Sequence, residues 1–513
     1  MGAMTKTQSA SNREFFTWAG AGAERRFGKC ASRLCRFLLV LSCSFYFAGN
    51  VHASQWAIRF VETGDDRAYS VASTPDNGFI VAGYSKSPTM GSHAAWLMKL
   101  DASGNVVWQK TYDGTGGGFA YSAQPTTDAG YVVAGQMYST FGPGNGDAFV
   151  LKLNRDGNAD WLRVYGGAFG DAANAVQQTA DGGYFVAGYS GSISTGSGAW
   201  ALKLDSGGNI DWQKTYGGMG YTNFNAAQLT TDGGYIVAGF ARSGGGGNDG
   251  VWVLKLDIGG NVIWQRTYGG CCQAASSIQA TVDGGYIVVG HSDSFGAGLL
   301  DAWVLKLDAN GNVEWQKTYG GTNTDYATSV QRTADGGYIV AGAAGSSGIG
   351  GYGAWLLKLD ATGNVTWQRT YGGIGVGYAT SVQTTADGGY IAAGYSNYFV
   401  GANSGGAWVL KLDADGYIRG CANIVTTNVV PSISNTIPAT STATVVDSSA
   451  TPVSINIAAV NSSAVAQQQC YYAVPVAADI PTLSQSGLIL MSTLLALCAT
   501  IVLPAATSNR RRE

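Results

Sequence analysis

Charge is scarce in this chain. Only 12% of its 513 residues are Asp, Glu, Lys or Arg, and 30 basic side chains stand against 33 acidic ones, a net of −3. A basic surface that could neutralise phosphates is missing, so nucleic acid is not an expected partner. Histidine is scarcer still: of three, only His93 and His291 lie beyond the first 53 residues. Two histidines without a cysteine or carboxylate cluster beside them do not make a zinc site, and both read as residues of surface loops. No Gly-Lys-Ser/Thr follows a strand-like run, so the glycines build no phosphate loop. What the chain does have is glycine, 76 of them, and 45% apolar residues. That balance suits a turn-rich all-β domain rather than a disordered chain.

The glycines are ordered in a repeat. Asp-Gly-Gly, or a near copy, begins at Asp76, Asp128, Asp181, Asp232, Asp283, Asp335 and Asp387, a period of 51 to 53 residues. Lys-Leu-Asp or Lys-Leu-Asn recurs in step at Lys99, Lys152, Lys203, Lys255, Lys306, Lys358 and Lys411. An aromatic residue precedes each lysine by three: Trp96, Phe149, Trp200, Trp252, Trp303, Trp355 and Trp408. A fixed period of this size means a solenoid, a propeller or an array. Residues present seven times are architecture first, because a catalytic group is normally needed once.

One unit reads TSVQRT, the turn ADGG, YIVAGAA, a glycine-rich loop, AWLLKLD, the turn ATGN, and VTWQRTY (328–371). Four short runs of Val, Ile, Tyr, Trp and Thr between turn residues are four strands, and a four-stranded unit of this length is a β-propeller blade. A right-handed β-helix is the rival, but its repeats are shorter and lack paired hairpins. The last repeat lacks a fourth strand, while Trp56-Ala57-Ile58-Arg59-Phe60 stands unclaimed at the other end. The expected fold is an all-β, seven-bladed propeller spanning 54–420, closed by the N-terminal strand so that no edge is left free. The short turns fall on one face, and the loops that differ between repeats fall on the other, upper face. The recurrent Gln124, Gln177, Gln228, Gln279, Gln331 and Gln383, with Ala72 in the seventh copy, either line the central channel or satisfy backbone groups between blades. The seven lysines are expected to pair with the repeated aspartates.

The ends carry addresses. Arg33 and Arg36 precede FLLVLSCSFYFAG, and Val51-His52-Ala53 is a small-residue cleavage site, so 1–53 read as a secretory signal. At the other end, 479–513 hold Ile480-Pro481-Thr482-Leu483, an apolar span at 487–506 and Arg510-Arg511-Arg512. Twenty apolar residues can cross a bilayer as a transmembrane helix, with the arginines cytoplasmic. Between ring and tail, 421–478 are rich in Ser, Thr, Ala and Val, and read as a stalk or a small β appendage. Cys421 and Cys470 bracket it, and an oxidising compartment would join them as a disulfide.

Two resemblances add to this reading. The tail, with its motif, span and basic end together, resembles the IPTL-CTERM sorting signal of Gram-negative bacteria. The resemblance implies a membrane sorting enzyme as partner and cleavage near Pro481-Thr482, with the propeller on the periplasmic side or the cell surface. Leu359 to Trp367, LDATGNVTW, resembles the tryptophan-docking motif of quinoprotein propellers, and the whole unit resembles exported delta-60-type repeats over 56–413. That likeness implies the fold, and as an activity it would imply a pyrroloquinoline-quinone dehydrogenase. Cys271-Cys272 would then be a vicinal disulfide beside the quinone. Those enzymes usually have eight blades and long insertions bearing a calcium site and a base, whereas these loops vary by only a residue or two. The expectation is therefore no enzyme and no cofactor. Asp308-Ala309-Asn310-Gly311-Asn312 has a calcium-loop flavour but lacks a distal bidentate carboxylate.

Noncovalent binding of glycan or protein at the envelope is the expected function, with a purely structural surface protein as the alternative. Binding falls to the variable upper loops. Their aromatic candidates are Tyr138, Phe141, Phe169, Tyr221, Phe224, Phe295, Tyr352, Tyr398 and Phe399, rings suited to stacking on sugars or gripping an extended peptide.

Overall fold

A computed structural model describes residues 55–418 apart from 62–64, 87–92, 113–116, 139–145, 193–197, 218–219, 244–249, 270–272, 295, 297–298, 346–351, 372–376 and 397–405. Beyond these it describes the short strands 424–425, 432–433, 444–447, 453–454, 459–461 and 465–472. All fall within one compact unit, Ala53–Ala473. The secretory signal, Cys421, the sorting motif and the span 487–506 lie outside the described residues. No described helix is long and apolar enough to cross a membrane.

The unit is a ring of seven antiparallel sheets. In blade 1 the strands run Arg67–Ser73, Phe79–Lys86, His93–Leu100 and Val106–Tyr112, from the inside outward. Blades 2 to 6 repeat this pattern from Gly118, Asp171, Gly220, Ala274 and Asp325. Blade 7 has Gly377–Thr384, Tyr390–Ser396 and Gly406–Leu412, and its fourth strand is Gln55–Val61. Trp56 stands opposite Lys411 in the register that sets Trp108 opposite Lys99, so the N-terminal strand closes the ring. The second and third strands of each blade are covered on both faces, which is why they are apolar throughout. Trp96, Trp200, Trp252, Trp303 and Trp355 of the third strands are fully buried between blades.

Three repeated devices join blade to blade. The outer-strand tryptophan docks on the next blade's Asp-x-x-Gly turn. Trp264, for example, donates its indole N–H to Ala309 O at 3.1 Å, and Tyr268 donates its hydroxyl to Gly311 O at 2.6 Å. Gly311 lies at φ 77°, and a Cβ there would come within 2.8 Å of the Trp264 ring, so only glycine fits. On the inner strands the glutamines face the neighbour's backbone. Oε1 of Gln177, Gln331 and Gln383 accepts from the amides of Leu229, Thr384 and Ser73 at 2.7, 2.9 and 2.9 Å. Gln228 and Gln279 do the same for Ala280 and Arg332. Finally, each inner strand carries a bulge near its upper end, and there Thr328 and Thr380 donate to Ala379 O and Ala68 O of the following blade at 2.6 and 2.7 Å.

Within each blade the recurrent lysine of the third strand pairs with the aspartate of the Asp-Gly-Gly turn, at 2.6 to 2.9 Å in all seven copies. The lysine is buried, with its ammonium also donating to the next carbonyl, as at Leu256 O, 3.1 Å from Lys255. The pairing is obligatory, because a buried ammonium without a partner is costly.

Within 421–478 the described residues are short strands, each paired with the outer edge of a blade. Ile424–Val425 pairs with the outer strand of blade 6, Ser432–Ile433 with blade 5, and Thr444–Asp447 with blade 3. Val453–Ser454 pairs with blade 2, Ala459–Asn461 with blade 1, and Val465–Tyr472 with Gln55–Val61 of blade 7. Taken in chain order, these described strands meet the blades backwards around the ring, as a belt, and among the described residues six of the seven sheets have a fifth strand. The cause is the outer strand itself, which offers a row of unsatisfied N–H and C=O groups. A Ser, Thr and Val-rich segment of low charge pairs with it readily. Cys470 lies on the strand that covers blade 7, opposite Ala57.

Candidate functional site: an aromatic collar on the upper face

The upper ends of the inner and second strands meet in one repeated pair per blade. The pairs are Arg67 with Tyr84, Phe119 with Gln136, Ala172 with Tyr189, Asn223 with Phe240, Ala274 with His291, Tyr326 with Ala343, and Tyr378 with Tyr395. Every blade thus places at least one flat ring at this level, and in three blades the ring's partner is alanine. Strand pairing, not loop sequence, sets these rings in a circle.

They touch in series. His291 meets Tyr326 edge-on at 5.5 Å, and Tyr326, Tyr352, Tyr378 and Tyr395 follow in stacked steps of 6.3, 5.7 and 5.0 Å. Arg67 lies over Tyr395 at 4.4 Å and within 5.7 Å of Tyr84, carrying the series across the ring closure. Tyr84 meets Phe119 at 4.9 Å, and Phe119 meets Tyr138 at 6.0 Å. Further round, Gln136 Nε2 donates to the Tyr189 hydroxyl at 3.5 Å, and Tyr221 sits between Tyr189 and Phe240 at 6.4 and 5.4 Å. Most of these rings are partly exposed, and Tyr138 and Tyr221 are exposed outright.

The polar groups gather in one knot, with exposed Lys86 and Arg242 opposite His93 and Tyr221. Asp65 Oδ2 accepts from His93 Nε2 at 3.0 Å, Oδ1 accepts from the Tyr84 hydroxyl at 3.2 Å, and Arg67 Nε lies 3.6 Å away. Partial burial alone would raise the Asp65 pKa. The His93 hydrogen bond and the Arg67 charge outweigh it and hold the carboxylate below its ordinary value. Burial lowers the pKa of His291, disfavouring its charged form, and burial raises Tyr326, Tyr378 and Tyr395. Just beneath, buried Asp171 accepts from the hydroxyls of Ser190 and Ser192, the latter at 2.8 Å, and from Gly167 N at 3.0 Å. This carboxylate ties the loop at Gly167 to the end of the second strand of blade 3.

Of the aromatics expected to bind, the structure brings Tyr138, Tyr221 and Tyr352 into this collar. Phe169 is 67% exposed on its own loop, where its amide donates to Ser192 Oγ at 2.9 Å. Phe224 is a correction. It is 0% exposed and stacked on Trp252 at 5.4 Å. The inner strand of blade 4 runs Gly220–Leu229, and Phe224 takes the core position that Ala68, Ala120, Ala173, Ala275, Ala327 and Ala379 take elsewhere. Phe141, Phe295, Tyr398, Phe399 and the pair Cys271-Cys272 lie outside the described residues. His93 and His291 are also placed differently from expectation, on strands within the collar rather than in loops. Rings such as Tyr326, Tyr378 and Tyr395 escape a search for variation in loops, because they sit on strands. Aligning the repeats at the start of each inner strand is the signal that finds them.

Among the described residues no group of three or more His, Cys, Asp or Glu is arranged to hold a metal. The turn with calcium flavour is occupied by itself. Asp308 Oδ1 accepts from the amides of Asn310 and Asn312, and Oδ2 accepts from Asn312 Nδ2, each at 2.8 Å.

The IPTL-CTERM motif matches residues 480–512, which marks an exported, C-terminally anchored protein. No curated protein matches the chain. Among solved structures it is similar to Sqt1 from Chaetomium thermophilum, with 12% identity and a TM-score of 0.42, over 72% of this chain and 87% of that one. It is also similar to a putative oxidoreductase (glucose dehydrogenase) from Thermus thermophilus, with 14% identity and a TM-score of 0.29, over 69% and 99%.

Proposed function

We propose that this exported, anchored propeller is a noncovalent binding module, not a catalyst, and that its upper aromatic collar takes a glycan or protein of the envelope. The observation that carries the reading is the unbroken series from His291 through Tyr326, Tyr378, Tyr395 and Arg67 to Phe119, in which partly exposed rings come from four consecutive blade junctions. Such rings present large, rigid contact area at little entropic cost. On this reading the tail, with Arg510–Arg512 cytoplasmic and a membrane sorting enzyme as its partner, anchors the domain to the membrane.

The belt and the repeated tryptophan and tyrosine docking favour a second reading, in which the ring is surface architecture alone. The two are separated by presenting the full chain to a glycan array and to envelope extract, beside Tyr378→Ala and Tyr221→Ala. Saturable binding weakened by either substitution supports the collar. Absence of saturable binding in both assays leaves architecture.

A further inference from the structure

Arg67 is singular. The equivalent positions of the other blades hold Phe119, Ala172, Asn223, Ala274, Tyr326 and Tyr378, all uncharged. At the blade 7 to blade 1 junction alone, the collar replaces an apolar or amide side chain with a cation, and sets a carboxylate beside it. Building on the collar as a binding face, we infer that Asp65, Arg67 and His93, framed by Tyr84 and Tyr395, form a subsite for an uncharged sugar residue bearing vicinal hydroxyls.

The chemistry follows from the donors and acceptors present. Arg67 is 33% exposed and Asp65 is 49% exposed, so both reach solvent while ring faces hold the guanidinium in place. Its Nε is 3.6 Å from Asp65, longer than a good hydrogen bond, so Arg67 retains capacity to donate to a ligand. A carboxylate has about four lone-pair sites, and Asp65 uses two for Tyr84 and His93. A fixed donor beside a fixed acceptor matches adjacent hydroxyl groups, each of which both gives and accepts a hydrogen bond. Tyr395 and Tyr378, stacked at 5.0 Å, continue the platform for the neighbouring sugar rings.

Charge and backbone argue against the other ligands. Within the subsite Arg67 and Asp65 offset one another, which favours an uncharged ring there over a uronate or phosphate; the exposed cations Lys86 and Arg242 stand opposite His93 and Tyr221, outside that pair. An extended peptide would add to a free strand edge. The inner strands offer little of one, since the Ser, Gln and Thr side chains already bridge them, as in Ser381 Oγ to Val71 N at 3.2 Å and Gln383 to Ser73 N.

The test uses the full chain in affinity electrophoresis and calorimetry. The probes are neutral galactan, glucan and mannan, each of these after periodate cleavage of its diols and reduction, polygalacturonate, and polyglutamate. The expected result is that at least one neutral polymer binds at least tenfold more tightly than its diol-cleaved form. Asp65→Asn and Arg67→Gln should each lose about tenfold, and a free hexose should compete on the unaltered protein, a measurement that needs no variant. Binding that survives both substitutions but falls with Tyr378→Ala overturns the subsite and spares the collar. Equal or tighter binding of polygalacturonate or polyglutamate overturns the uncharged-sugar assignment. Failure of every probe to bind overturns the subsite and the glycan form of the collar reading together.

Discussion

Substituting one glycine tests the blade-docking account quantitatively. Gly311 and Gly284 have nearly the same backbone, φ 77° and 82°, but different surroundings: the Trp264 ring lies within 2.8 Å of a Cβ at 311, and nothing lies within 4 Å of one at 284. Alanine at either site bears the left-handed penalty, roughly 1–2 kcal/mol. Gly311→Ala must also displace the indole. It then loses the bond from Trp264 to Ala309 O, worth about 1 kcal/mol, and part of the ring's packing, worth about another 1 kcal/mol. Equilibrium denaturation should therefore find Gly311→Ala about 2 kcal/mol worse than Gly284→Ala. In a Trp264→Ala background the excess should vanish, because its cause is gone. Equal costs at the two glycines in the unaltered protein would refute the docking argument.

Other expectations follow the same logic. Trp56→Ala removes the fully buried ring of the closing strand, with its bond to Ala102 O, and should cost about 3–5 kcal/mol by thermal or chemical melting. In Asp76, Asp128, Asp232, Asp283 and Asp335 burial pushes the pKa up, but hydrogen bonds from lysine, threonine and a glycine amide win and hold it at about 2. A folded pKa below the unfolded one stabilises fully above about pH 4, and the contribution is lost as pH falls through about 2. Circular dichroism should thus show β-structure unchanged from about pH 8 to about pH 5 and failing only in strong acid; loss at about pH 5 would contradict the pairing. Gln383→Leu strands the amide of Ser73 at the ring closure and should cost about 1–3 kcal/mol. Deleting 421–473 should leave the β-spectrum but promote self-association by light scattering, since it bares six outer edges; a strictly monomeric deletion would argue that the belt protects nothing.

The ring was legible in the sequence because its parts recur. Asp-Gly-Gly, Lys-Leu-Asp and Trp-Gln-Lys-Thr-Tyr each mark a fixed place in the blade, and the unclaimed strand at Trp56 showed how the circle closes. The pairing of Lys255 with Asp232, and the use of Gln331 to hold the neighbouring backbone, follow from the same periodicity. The belt was not legible, since its strands of two to eight residues follow no period and draw their pairing from edges far away in sequence. The collar was half legible. Tyr138, Tyr221 and Tyr352 stood out as loop aromatics, whereas Tyr84 and Tyr395 were hidden in strands whose apolar run explained them already, and His291 was read as a loop residue although it lies on a strand. Phe224 misled for the opposite reason: the inner strand of blade 4 begins early, at Gly220, and draws a residue expected in a loop into the core.

The belt also sets the order in which this molecule can be finished. Trp56 pairs with Lys411, so the first strand of the domain to be synthesised waits through about 350 residues for its ladder. Only then does the strand that will cover it, Val465–Tyr472, follow. The earliest and latest parts of the domain thus end side by side in a single seam, with seven rungs between them. A pull on the tail beyond Tyr472 enters the domain at that last strand, which those seven rungs hold to Gln55–Val61. Blade 7 is where assembly is completed and also where the tether's force enters.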